Sequence, residues 1–274
     1  MSSNSQSSGG SFWPNKPGKA KLYWFFRYLI VAILRLLFRI KFAGRENLPK
    51  HGPAILAANH ASAFDPVFIF GGTRRRITAL GNARYFQSKH GWFFRAMGQI
   101  PVAPGDGHSR DLALTCAQNL LKQGKLVGIF PEGNRSRDGK LYRGHTGVAQ
   151  LAISTGVPII PIGVIGSDKV LPRTQKWPKF FQRVEVNIGH PIDPTHYCNN
   201  RSLTDQVMKA IGNLSRQEYS DKYIEEALSC ELRPWGLALF SRIDFPTETI
   251  ISNKKYGGPG WVRTSDQPVM SRLL

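Results

Sequence analysis

Pro53-Ala-Ile-Leu-Ala-Ala-Asn-His-Ala-Ser-Ala-Phe-Asp-Pro66 decides the fold. Its first six residues are small and apolar with no polar face, the pattern of a short strand buried on both sides. The next eight open on the polar Asn59-His60 and end in Asp65-Pro66. That dipeptide predicts a helix start, with Asp65 as N-cap and Pro66 at the first helical position. Outward from this unit the same alternation repeats. Residues 77–81 and 125–130 read as further strands. Between them, residues 111–121 read as an amphipathic helix with Leu112, Cys116 and Leu120 on one face. Ser109 is its expected N-cap and Gly124 its C′ residue. A helix over 144–155 stops at Gly156 and Pro158, the next strand follows over 159–164, and residues 184–188 alternate as a half-buried strand. Strands alternating with helices predict an α/β fold with a mixed, largely parallel sheet flanked by helices.

The 274 residues suffice for one such domain with appendages. Lys and Arg number 37 against 18 Asp and Glu, a formal charge of 37 − 18 = +19. That excess points to an anionic partner: nucleic acid, an anionic membrane surface or a phosphorylated substrate. Cys116, Cys198 and Cys230 form no C-x-x-C pair, which speaks against a disulfide scaffold or a cysteine zinc site.

Four segments are expected. Residues 1–20 are rich in Ser, Gly, Pro and Lys and read as a disordered arm. Residues 21–43 read as one amphipathic helix. Arg27, Arg35 and Arg39 interrupt it too often for a simple membrane span. Lys21, Arg27, Arg35 and Arg39 fall within one third of its circumference, and aromatic and aliphatic residues cover much of the rest. The wide apolar arc favours the surface of an anionic bilayer over a contact with the protein's own core. Residues 44–230 hold the α/β domain, and residues 231–274 lack sustained periodicity. Within that tail, Trp261-Val-Arg-Thr264 permits the back-translation GGTTCGAACC, which resembles a transfer-RNA T-arm. The reading frame is therefore expected to run over a transfer-RNA gene there.

Two stretches carry chemistry, each placed straight after a strand, where α/β sheets build their sites. In the first, His60 and Asp65 are spaced so that the turn can bring the carboxylate back to the imidazole. A carboxylate on one ring nitrogen fixes the tautomer and supports the imidazolium formed when the other nitrogen takes a proton. The second is Phe130-Pro-Glu-Gly-Asn-Arg-Ser-Arg-Asp-Gly139. Two arginines and two glycines in a tight turn suit a phosphate, which a guanidinium holds bidentately.

Together these stretches resemble the glycerolipid acyltransferase family, which includes lysophosphatidate acyltransferases. That family is marked by an N-H-x-x-x-x-D block and an F-P-E-G-x-R-S block, here in that order and about 70 residues apart. Residues 98–102 and 157–162 are similar to its two other blocks. The resemblance implies a glycerolipid acyltransferase-like fold, preceded by the N-terminal amphipathic segment. It implies that His60 is the general base for the acceptor hydroxyl and that Asp65 orients it. Glu132, Gly133 and Arg135 would bind the acceptor, with Arg135 on its phosphate. Asn59, which opens the first block, is assigned to substrate binding with them. The acceptor would be lysophosphatidate or a related lysolipid, and the donor acyl-CoA or acyl carrier protein. No cofactor, metal or covalent acyl-enzyme is implied. The expected location is the membrane, on its cytoplasmic face.

One departure stands out: Pro104 occupies a position where the family usually has an arginine on the phosphate. Arg110 and Arg143, with His108, are candidates to compensate. Two other classes compete with the enzyme reading. A basic nucleic-acid-binding protein fits the charge, but Lys and Arg are scattered and no zinc-finger or RNP-like pattern occurs, so no nucleic-acid partner is expected. A lipid-binding protein without catalysis fits Pro104, but His60 and Asp65 are both present.

Overall fold

The computed structural model describes residues 20–87, 91–96, 99–103, 107–172, 175 and 177–227. The arm over residues 1–19, Pro104, Cys230 and the tail with its transfer-RNA-like stretch lie outside the described residues.

In chain order the elements are α1 (Ala20–Leu37), β1 (Arg39–Ala43), β2 (Ala54–Ala58), α2 (Asp65–Gly72), β3 (Ile77–Asn82), α3 (Ala83–Gln87), α4 (Gly91–Ala96) and β4 (Ile100–Val102). Then come α5 (Gly107–Lys122), β5 (Leu126–Ile129), β6 (Leu141–Tyr142), α6 (Gly147–Thr155), β7 (Ile159–Ile165), α7 (Ser167–Val170), β8 (Arg183–Ile188), α8 (Asn200–Ser215) and β9 (Tyr219–Ser220). Seven strands form one sheet in the order β1-β8-β7-β2-β5-β3-β4. All neighbours run parallel except β7 and β8. The sheet is thus the expected mixed, largely parallel one.

Strand periodicity divides the core between two faces. Ala54, Leu56 and Ala58 of β2 join α1 and α2 through Leu34, Phe38, Phe68 and Ile69. Ile55 and Ala57 join α5, α6 and α8 through Ala117, Leu121, Leu151 and Val207. With helices on both faces, the central strands need no polar side, which is why β2 and β5 read as unbroken apolar runs.

Consecutive units leave β2 and β5 in opposite directions. The chain from β2 passes over β5 to reach β3, whereas the chain from β5 passes over β2 to reach β7. A crevice opens between adjacent strands at such a reversal, outside their carboxyl ends. His60 follows β2 there, and Glu132 follows β5.

Three expectations need correction. The helix over 21–43 ends at Leu37, and Arg39–Ala43 is an edge strand in register with β8. Ile40 and Phe42 alternate with exposed neighbours, so the local period is 2. The basic side of α1 is not wholly outward as expected. Arg27 is buried beside Leu34 and Phe38. Its guanidinium donates to the Phe70 carbonyl at 2.8 Å and to that of Thr73, serving the negative end of α2. Tyr28, Leu29, Ile33 and Leu36 face outward. No helix among the described residues is long and apolar enough to cross a membrane.

The third correction concerns α5, whose inner face is Ala113, Leu114, Ala117 and Leu121, with Leu112 exposed. The period is helical as read, but the stripe is turned by one residue. Ser109 lies inside the helix, and its hydroxyl accepts from the Ala103 N–H at 2.9 Å. Gly124 does end this turn, at φ 74°. Its N–H donates to the Leu121 carbonyl at 2.8 Å.

Candidate active site

The turn after β2 is organised around one carboxylate. Asp65 is fully buried. Its Oδ2 accepts from the His60 ring nitrogen Nδ1 at 2.9 Å, from the Ala61 N–H at 2.8 Å and from the Ser62 N–H at 2.7 Å. Asp65 is the first helical residue rather than the N-cap, which is Phe64. Its side chain therefore reaches back across the turn instead of forward into the helix. The other oxygen, Oδ1, is buried without a hydrogen-bond partner among the described residues. A carboxylate so enclosed favours a positive charge beside it.

The His60 ring retains 18% of its side-chain exposure. Its plane stacks on Phe130 with ring centres 4.2 Å apart and an interplanar angle of 20°. Phe130 leads out of β5, so the neighbouring strand supplies the wall that fixes the imidazole. With Nδ1 held by Asp65, Nε2 is the nitrogen left for exchange with an acceptor.

The loop after β5 is built around a second carboxylate. Glu132 is 1% exposed. Its Oε1 accepts from the His60 N–H at 2.9 Å, and its Oε2 from the Tyr142 N–H at 3.0 Å. Burial pushes its pKa up to about 8. The two backbone N–H groups oppose this, and the charges of Asp65 and Asp138 add to it. The Ser136 N–H donates to the His60 carbonyl at 2.8 Å, so His60 is held through both its backbone groups. Gly133 takes φ 74°, and a Cβ there would meet the His145 ring at 3.1 Å. Asp138 accepts from the Ser136 hydroxyl, the Lys140 N–H and the Tyr142 hydroxyl. These bonds outweigh its burial and hold its pKa below the ordinary carboxylate range.

The residues expected at the site separate into groups. His60, Asp65, Glu132 and Gly133 come together at the crevice. Arg135 lies in the same loop, and its N–H donates to the Asn134 side chain at 2.8 Å. Glu132 and Asn59 differ from expectation. With both oxygens enclosed and bonded to backbone, Glu132 presents nothing to a substrate. It holds the two loops together. Asn59 is fully buried, accepts from the Val164 N–H at 2.7 Å and donates to the Val164 carbonyl and to Gln217. Its amide ties the end of β2 to β7.

Arg143 is directed toward the segment after α8. Its Nη1 stands 3.8 Å from Asp221, and its guanidinium lies 5.3 Å from the Tyr223 ring centre. Arg110 lies in the first turn of α5, beyond the edge strand β4, with Nε 3.7 Å from Asp111. Strand β4 is three places from β2, about 14 Å at ordinary strand spacing. Sequence reasoning missed Phe130 and Ser136 as partners of His60. The place of Phe130 directly after a strand was the available signal, whereas Ser136, seven residues beyond β5, offered none.

Residues 39–165 match the family model described as Acyltransferase. The chain is 32% identical over 186 residues to the chloroplastic 1-acyl-sn-glycerol-3-phosphate acyltransferase LPAT1 of Arabidopsis thaliana, covering 64% of this chain and 50% of that one. It is 33% identical over 164 residues to the chloroplastic 1-acyl-sn-glycerol-3-phosphate acyltransferase BAT2 of Brassica napus, covering 57% of this chain and 45% of that one. The chain thus spans about half the length of these curated relatives. In fold it is similar to the crystal structure of the 1-acyl-sn-glycerophosphate acyltransferase PlsC from Thermotoga maritima. That match has a TM-score of 0.62 and 24% identity, and covers 72% of this chain and 81% of the other. The matched region holds both sequence blocks and every strand from β1 to β7, so residues 39–165 form an acyltransferase-family domain, similar in sequence to these plant 1-acyl-sn-glycerol-3-phosphate acyltransferases.

Proposed function

We propose that this protein is an O-acyltransferase that moves a fatty acyl group onto the free hydroxyl of 1-acyl-sn-glycerol 3-phosphate, giving phosphatidate in phospholipid biosynthesis. The observation that carries the reading is the His60–Asp65 pair, held at 2.9 Å over the crevice. The names of the plant relatives support the choice of acceptor. The donor is a thioester, acyl-CoA or acyl carrier protein.

His60 Nε2 removes the proton from the acceptor hydroxyl as its oxygen attacks the thioester carbonyl carbon. The imidazolium is stabilised by the buried Asp65 carboxylate. The tetrahedral oxyanion then collapses, the carbon–sulfur bond breaks, and the imidazolium returns its proton to the departing thiolate. Ester and thiol are the products, and His60 ends neutral. A positioned base contributes a rate factor of about 10²–10⁴. Arg135 holds the acceptor phosphate. The enzyme works at an anionic membrane surface, on its cytoplasmic face. Purified protein in detergent, offered a panel of lysolipids with labelled acyl-CoA and acyl carrier protein, tests this directly. Transfer to lysophosphatidate ahead of phosphate-free acceptors is the expected result, and transfer only to the latter overturns the choice of acceptor.

A further inference from the structure

Five large apolar side chains stand exposed on one rim of the molecule. Trp177 is 82% exposed, Phe181 66% and Phe180 48%, all between α7 and β8. Leu36 is 76% and Ile33 43% exposed on the outer face of α1. Loop and helix end are continuous. The Phe181 N–H donates to the Leu37 carbonyl at 2.7 Å, and the Phe180 ring centre lies 6.2 Å from that of Phe38.

The loop is fixed, not trailing. The Lys179 N–H donates to the Val170 carbonyl at 2.7 Å, and the Arg39 N–H to the Gln182 carbonyl at 3.0 Å. Phe181 takes φ 60°, a left-handed conformation that bulky residues rarely adopt. A strained backbone thus holds an aromatic ring in solvent, a combination found where the exposed group has a use.

Sheet register locates this rim. Ala58 pairs with Ile162, β7 continues three residues to Ile165, Ile165 pairs with Glu185, and β8 extends two more to Arg183. The loop therefore rises about 16 Å past the end of β2 on the same edge as His60. Its flanks are basic. Lys179 is exposed and forms no ion pair among the described residues, and Arg39 adjoins it, as does Arg183, which pairs with Glu185 at 2.6 Å. Two copies docked through this rim would set these cations against one another. Anionic lipid headgroups would pair with them, while the aromatic rings settle at the headgroup level.

We propose that the Trp177–Phe181 loop, together with the Ile33–Leu36 turn of α1, inserts into the surface of a bilayer carrying anionic lipid and turns the His60 edge of the sheet toward it. The inference rests on the lipid-acceptor reading above and names the surface from which the acceptor enters.

The test uses the full chain with vesicles of phosphatidylcholine, with and without phosphatidylglycerol. The double variant Trp177→Gln, Phe181→Asn removes both rings, and Asn tolerates the positive φ. Its partitioning onto anionic vesicles should fall about tenfold. Its acceptor KM should rise for vesicle-presented lysolipid and stay unchanged for detergent-dispersed lysolipid. Lys179→Glu should weaken binding to the anionic vesicles only. Unchanged partitioning of the double variant overturns the proposal. So does an equal activity loss in both presentations, or loss of self-association in light scattering in place of vesicle binding. Loop-dependent partitioning by a protein that acylates no lysolipid overturns the acyl-transfer reading and leaves the membrane contact standing.

Discussion

Two buried carboxylates organise the crevice, and they differ in what faces them. Asp65, in the turn after β2, accepts two backbone N–H groups and also the His60 ring. Glu132, in the loop after β5, accepts two backbone N–H groups and forms no ion pair among the described residues. The first has a partner that can take up a positive charge. The second meets backbone dipoles and the charges of Asp65 and Asp138, and burial pushes its pKa up to about 8. An apposed titratable group makes one of them part of an acid–base pair and leaves the other a clamp.

The comparison breaks most sharply at His60. His60→Ala should lower kcat by about 10²–10⁴ with the circular-dichroism spectrum and melting curve retained. Folded variant keeping more than a few per cent of wild-type turnover would remove the base assignment, and with it the distinction between the carboxylates. Asp65→Asn should reach a similar loss in kcat, because an amide supports neither the tautomer nor the imidazolium. It should also cost about 1–3 kcal/mol in denaturant unfolding, since the NH₂ group placed where Oδ1 stands is a buried donor with no acceptor among the described residues. A variant that merely unfolds would make Asp65 a clamp like Glu132.

Arg135→Ala tests the loop's other role. Hydrogen bonds to a charged group contribute about 1.5–3 kcal/mol, so the acceptor KM should rise at least about tenfold. The donor KM should stay constant. Arg135→Lys should restore only part, because an ammonium cannot form the bidentate fork. An equal loss with a phosphate-free acceptor would assign Arg135 to loop structure instead.

Glu132 should show itself mainly in stability against pH. Its folded pKa is raised from 4.5 to about 8. The folded state therefore holds a proton that the unfolded chain releases between these values. The contribution is fully present below about pH 4.5 and is lost as pH rises through about 8. Unfolding free energies across this window should fall for the wild type and slope less for Glu132→Gln. Identical slopes would mean that the carboxylate is not enclosed as described.

Much of the crevice was legible because its parts are local. The spacing of His60 and Asp65 spans a single turn, and the turn brings their side chains to 2.9 Å. The Glu132 clamp was not legible. Its acidic side chain in a polar, glycine-containing turn reads as exposed, and only the closure of Tyr142 and His60 over it buries it. Asn59 likewise looks like a free polar group beside a histidine, until β7 arrives with the Val164 backbone to engage it. In α1, the arginines lie at helical spacing as read. Arg27 nevertheless points inward, because α2 ends opposite it with carbonyls that its guanidinium satisfies.

Sequence alone determined the strands β2, β3, β5, β7 and β8, their order along the chain and which turn carries each reactive group, but it read β1 as helix and did not mark the short strands β4, β6 and β9. Runs such as Ala54–Ala58 and Leu126–Ile129 declare a two-sided burial that few other contexts allow. Tertiary structure decided which strands became neighbours. The insertion of β5 between β2 and β3 sets Phe130 against His60 and Glu132 beneath its backbone. That pairing joins residues 72 apart. No local pattern specifies such a contact, because its free energy comes from the packing of a whole sheet whose far strands lie elsewhere in the chain.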